Sequence, residues 1–122
     1  SFVALSEALQ KADVVSLHVP LTELTRNLIN EKTLSLIRNE AFLINTSRGE
    51  VVDEDALCSF LKEEKIAGAA LDVFVNEPHI NQEFLRTPNL LFTPHIAGNS
   101  QEAVWAMGQA AIESLKELIA QN

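Results

Sequence analysis

Residues 41–49 read AFLINTSRG: a short apolar run that breaks off in a polar turn, Thr46-Ser47-Arg48-Gly49. Such a run bounded by turn residues reads as a strand whose carboxyl end opens onto a loop rich in hydrogen-bonding groups. The same pattern recurs on either side. Residues 13–19 (DVVSLHV) are closed by Pro20, residues 66–73 (IAGAALDV) carry one aspartate, and residues 89–93 (NLLFT) are stopped by Pro94. These runs are nearly continuous rather than alternating, which suits a parallel sheet covered on both faces.

Helical signals lie between the runs. Leu5, Leu9 and Ala12 recur at helical spacing ahead of the first strand, and Asn30 is placed to cap a short helix carrying Leu34 and Ile37. Asp53 caps a predicted helix to about Lys65, with acids in its first turn and lysines near its end, as the helix dipole favours. Its Ala56, Leu57, Phe60 and Leu61 form the inward stripe. One helical turn is expected around residues 83–85. A last helix is expected to begin at Asn99 and Glu102, with Val104, Met107, Ala111, Leu115 and Leu118 on one face. Strand-helix alternation of this kind predicts an α/β fold of about four parallel strands with flanking helices.

Composition narrows the function. The 122 residues hold 47% hydrophobic and 21% charged side chains, enough for one globular unit. Nine basic against seventeen acidic residues give a net charge of −8, which disfavours nucleic acid and anionic membrane as partners. A single cysteine, Cys58, forms no internal disulfide, and no charged-then-apolar leader opens the chain, so a cytoplasmic location is expected. Histidine and cysteine spacing carries no metal signature, and no P-loop, G-x-S-x-G or G-x-G-x-x-G is present.

Polar residues gather where the strands end: His18 with Pro20, Thr46 to Arg48, Asp72, and His95. In an open parallel sheet, ligands bind outside the carboxyl ends of the strands. Each residue also has a plainer reading. Asp72 suits the capping of a turn, Arg48 an ordinary surface position, and His18 the edge of a core. His79 reads as a solvated loop residue and Cys58 as packing. Against the plain reading of Arg48, its small neighbours allow close backbone approach, and its planar fork suits a carboxylate. His95, near a carboxylate such as Glu77, makes a plausible acid–base unit.

The segments ADVVSLHVPLT, LINTSRGEVVDEDAL, AGAALDVFVNEP and PNLLFTPHIAGNS, in this order, resemble the NAD-dependent D-isomer-specific 2-hydroxyacid dehydrogenases over residues 12–100. The resemblance implies the second half of a Rossmann-type, doubly wound nucleotide-binding domain. It implies NAD as cofactor and hydride transfer between NAD(H) and a D-2-hydroxy acid or 2-oxo acid. It makes Arg48 the binder of substrate carboxylate and carbonyl, His95 the proton donor, and Glu77 its charged partner. It places Asp72 near the nicotinamide carboxamide. The cofactor would be lined by His18, Val19, Pro20, Thr46, Ser47, Arg48, Asp72, His95, Ala97 and Gly98.

The family's glycine fingerprint has no counterpart in this sequence. The resemblance therefore implies a partial NAD-binding domain over residues 1–122, with residues 100–122 a helix leading back toward a substrate domain. Two alternatives stay open: an NAD-sensitive binding module like the C-terminal binding protein corepressors, and an inactive piece of an enzyme. A half-sheet with an open edge and an apolar final helix predicts a homodimer.

Overall fold

Residues 2–120 are described by a computed structural model of the chain. Among them, four strands pair in sequence order: β1 (Val14–Leu17), β2 (Phe42–Asn45), β3 (Gly68–Leu71) and β4 (Leu90–Phe92), all parallel. Each lies inside a run picked out in the sequence but is shorter by one to four residues. Helices α1 (Leu5–Lys11), α2 (Glu31–Leu34), α3 (Glu54–Lys62) and α4 (Gln101–Ala120) complete the set, with short 3-10 turns at Gly49–Val51 and Phe84–Arg86. Residue 1 and residues 121–122 lie outside those described, so the expected end of the last helix is described only to Ala120.

Parallel neighbours need crossover connections, and right-handed crossovers running one way along a sheet all fall on one face. That face is the core. Leu17, Leu43, Ala69 and Leu71 turn toward α2 and α3, whose Leu34, Leu57, Phe60 and Leu61 are buried against them. A buried leucine such as Leu43 or Leu61 contributes about 2 kcal/mol through the apolar surface it removes from water. The opposite face carries Val14, Phe42 and Leu91, which are 53%, 50% and 69% exposed. The register alternates these residues with the core residues. Both faces are therefore apolar, as a doubly wound sheet requires, and one of them is bare.

The helix starts follow the sequence. Asn30 Oδ1 accepts from the backbone N–H of Lys32 and Thr33, and Thr33 Oγ1 accepts from the Asn30 N–H, which closes a reciprocal cap. Asp53 accepts from the Ala56 N–H. Two boundaries differ from expectation. The last helix is capped by Ser100, whose hydroxyl accepts from the Ala103 N–H, not by Asn99. Helix α3 stops at Lys62 rather than Lys65, because Glu64 turns into the left-handed region at φ 54°. The Glu64 N–H then reaches Leu61 O at 3.1 Å and the Lys65 N–H reaches Phe60 O at 2.8 Å, the paired bonds of a Schellman motif.

That position normally takes glycine, since a Cβ is penalised there. Glu64→Gly should raise stability by about 0.5–1 kcal/mol, after allowance for the extra freedom of glycine in the unfolded chain. Chemical denaturation at constant m-value measures it. A loss of stability would show that the Glu64 side chain matters more than its backbone.

Candidate active site

The parallel register brings the carboxyl ends of all four strands to one rim, and the singled-out residues arrive there with them. His18, Val19 and Pro20 follow β1, and Thr46, Ser47 and Arg48 follow β2. These six, with Leu21, line an open cleft of about 550 Å³. A smaller apolar depression of about 110 Å³ adjoins it and shares Thr46. It is lined also by Asp72 and Ala97 and floored by Ala70 and Leu91 of the bare sheet face. Gly98 faces open space, and His95 lines neither hollow.

Two of the predicted site residues meet directly. His95 Nδ1 lies 2.6 Å from Glu77 Oε2. A carboxylate only accepts, so Nδ1 carries the hydrogen and Nε2 stays out of this bond, on a side chain that is half exposed. The other oxygen of Glu77 accepts from the Phe74 N–H at 2.7 Å, which fixes the carboxylate against its own loop. Burial pushes the Glu77 carboxyl up. The hydrogen bonds from His95 and from Phe74, together with the positive ring, outweigh it and hold the group below the usual range.

Asp72 is buried at the end of β3, and its carboxylate is taken up by the loop after β4. Oδ1 accepts from Thr93 Oγ1 at 2.5 Å and the Ile96 N–H at 2.9 Å, and Oδ2 accepts from the Ala97 N–H at 2.9 Å. The turn-capping reading of Asp72 thus describes what it does here. A carboxylate offers about four acceptor positions, so one remains on Oδ2. Burial raises this carboxyl, but the bonds from Thr93, Ala97 and Ile96 and the nearby His95 charge hold it below its ordinary value.

Arg48 stays apart from this group. Its Nη1 donates to the Ser47 carbonyl at 2.6 Å, and among the described residues it has no carboxylate partner. Asn45 holds the loop beneath it, donating to the Arg48 carbonyl and accepting from Ser47. The close approach expected at Gly49 is real but internal. A Cβ there would stand 2.1 Å from the Phe74 carbonyl carbon and 2.5 Å from the Val75 nitrogen. The Arg48 loop therefore rests on the loop that carries Glu77. His18 bonds Ser16 at 2.8 Å and stays exposed, and His79 is exposed as expected. Cys58 is partly buried, with Thr87 Oγ1 3.3 Å from its sulfur.

Two residues of the site carry no signal in their local sequence. Thr93 looked like the end of a strand, and Glu54 like one of three acids in a first turn. Glu54 instead accepts from the Val75 N–H at 2.8 Å and so steadies the loop between Asp72 and Glu77. Burial raises its carboxyl above the usual range, the Val75 bond opposes this, and Asp55, Glu50 and Glu77 add repulsion.

Comparison with known proteins points one way. Residues 1–97 match the family model described as D-isomer specific 2-hydroxyacid dehydrogenase, NAD binding domain. A glyoxylate reductase of Thermococcus litoralis is 46% identical over 121 residues, 99% of this chain and 34% of that protein. The solved D-lactate dehydrogenase from Aquifex aeolicus, complexed with NAD and lactic acid, superposes with a TM-score of 0.82 at 32% identity, over 99% of this chain and 41% of that one. An acyclic imino acid reductase in complex with NADPH and D-Arg gives a TM-score of 0.90 at 37% identity, over 98% and 38%. The chain spans about a third of the length of the curated relatives it matches.

The two depressed carboxyls set an acid limit. Asp72 and Glu77 contribute stability while ionised, in full above the ordinary carboxyl range, and lose it as the pH falls through their lower folded values. Glu54, shifted up, works in the opposite sense and gains as it protonates. Thermal melts should therefore hold nearly level from pH 7 to about pH 5 and fall steeply below about pH 4. A melting temperature that rises below pH 4 would contradict the assignment of Asp72 and Glu77 as native-state carboxylates.

Proposed function

Since the chain belongs to the D-isomer specific 2-hydroxyacid dehydrogenase family through its NAD binding domain, we propose that it supplies the reactive rim of an enzyme that reduces a 2-oxo acid to a D-2-hydroxy acid with NADH, reversibly. The observation that carries this reading is the 2.6 Å His95–Glu77 pair, which leaves Nε2 out of the bond, on the rim where nucleotides bind in such sheets.

The hollows fit the cofactor. A cleft of about 550 Å³ is within the usual range for ligand sites, and the apolar depression beside it suits a flat ring. His18, Val19, Pro20, Thr46 and Ser47 would hold the cofactor in the cleft. Asp72, through the acceptor position left on Oδ2, and Ala97 would meet its nicotinamide end, with Gly98 leaving room. When bound, NADH supplies a hydride to C2 of the substrate. His95 delivers its Nε2 proton to the carbonyl oxygen as that oxygen gains charge, and Glu77 holds the ring in place through Nδ1. Arg48 swings from the Ser47 carbonyl to grip the substrate carboxylate with both nitrogens and polarise the carbonyl. Glyoxylate, lactate and D-arginine, the compounds in the relatives' names, share one group that such a fork recognises: a carboxylate beside the reacting carbon.

The homodimer and the cytoplasmic location belong to the same reading. Helix α4 buries no residue, and Trp105, Leu115 and Leu118 are 70%, 57% and 61% exposed. A surface of this kind marks an interface. The family model ends at residue 97, before α4 begins, which supports a helix that leaves the NAD-binding unit toward a substrate domain. A lone thiol suits a reducing cytoplasm, and no described helix is long and apolar enough to cross a membrane.

In the whole protein, His95→Ala should cut kcat for 2-oxo acid reduction by roughly 10²-fold or more. Arg48→Gln should raise KM for the 2-oxo acid, leaving NADH affinity within about twofold. Steady-state kinetics over a panel of 2-oxo acids reads both, and a His95→Ala enzyme with normal kcat would sink the assignment. Light scattering on the 122-residue chain should show a dimer; a folded species at the 13.4 kDa monomer mass would refute self-association.

A further inference from the structure

His95 occupies the left-handed region at φ 54°, a conformation that costs a side chain with a Cβ and persists only where its surroundings impose it. What imposes it lies directly after it. The next two backbone N–H groups, of Ile96 and Ala97, converge on the two oxygens of Asp72 at 2.9 Å each. Successive amides around a left-handed residue form a concave anion site, and here the anion is the protein's own carboxylate.

Thr93 ties this arrangement to the sheet through three bonds. Its N–H donates to Leu71 O at 3.0 Å, its hydroxyl donates to Asp72 Oδ1 at 2.5 Å, and its carbonyl accepts the His95 N–H at 3.0 Å. Asp72 is anchored in turn by its own N–H on Asn45 O at 3.0 Å. Asp72 is buried and, among the described residues, has no cationic side chain within ion-pair distance, so the hydroxyl and the two amides are its direct partners, with the His95 charge acting from farther off. The β-branch of threonine restricts χ1, which aims the hydroxyl without ordering a longer side chain.

We propose that Thr93 and Asp72 form a clamp that holds His95 in its left-handed conformation and so presents the ring to Glu77. Thr93 and Asp72 are then positioning residues, and the proposal rests on His95 being the proton donor of the reading above. It gives Asp72 a duty that does not depend on cofactor, and it gives Thr93 a duty where an isosteric apolar residue would fill the same space. Glu77 fixes the ring from one side and the clamp fixes the backbone from the other. Without the clamp, a ring on a relaxed backbone would leave the carboxylate.

Nuclear magnetic resonance on the 122-residue chain, without cofactor, tests this. The Ile96 and Ala97 amides lie in an exposed loop, yet their exchange with deuterium should be slowed at least tenfold against an unstructured peptide. Thr93→Val should speed that exchange about tenfold and shift the His95 ring signal, and Thr93→Ser should restore both. Unprotected amides in the unmutated chain would overturn the clamp even if Thr93→Val fails to fold. So would a Thr93→Val chain whose amides and ring signal stay in place. Glu77→Gln separates the two claims: it should move the ring signal while the Ile96 and Ala97 amides stay protected. If the ring signal does not move, the acid–base pair fails and the clamp stands.

Discussion

Parallel pairing is the constraint from which the rest of the molecule follows. Strands that run the same way cannot be joined by a hairpin, so each pair in β1-β2-β3-β4 needs a crossover. The crossovers carry α2, α3 and the turn at Phe84–Arg86 on one face. All four carboxyl ends therefore meet at one rim. His18, Arg48, Asp72 and His95 lie far apart in the sequence and are brought to this one rim because each follows a strand of the same parallel sheet. The same pairing leaves a second apolar face, which accounts for Val14, Phe42 and Leu91 standing exposed.

At the rim the sheet runs out, and with it the partners that a strand's neighbours would supply. Buried or crowded backbone N–H groups still need acceptors. Three carboxylates provide them. Glu54 takes the Val75 N–H, Glu77 takes that of Phe74, and Asp72 takes those of Ile96 and Ala97. Acidic side chains thus extend the ladder past its last strand and fix loops that have no hydrogen-bonded neighbour of their own. Gly49 completes the arrangement by letting the Arg48 loop lie on the Phe74–Val75 backbone. The groups proposed to bind substrate and to move the proton are consequently mounted on one packed unit, which is what fixed reaction geometry demands.

Much of this was legible beforehand. The four apolar runs announced the strands, Asn30 and Asp53 announced two helix starts, and the polar residues at strand ends announced the rim. The fold class follows from such local patterns, whereas the family and the His95–Glu77 pair follow from the resemblance carried by the four segments in their order. What stayed hidden depends on bonds between distant segments. Nothing near Glu54 shows that Val75 will need an acceptor, and nothing near Thr93 shows that a carboxylate 21 residues earlier will take its proton. Gly49 signalled a close approach without saying that Phe74 makes it. The end of α3 was missed for a different reason: a glutamate stands at φ 54° where composition rules look for glycine.

On the proposed function, this rim directs a hydride to C2 of a 2-oxo acid while His95 protonates the oxygen. Incubating the whole protein with a 2-oxo acid and NADH carrying deuterium at both C4 positions, then analysing the product by mass and on a chiral column, tests it most directly. The account predicts one deuterium, retained at C2, in a product that is the D-2-hydroxy acid. A product without deuterium at C2, or one of L or racemic configuration, would contradict it.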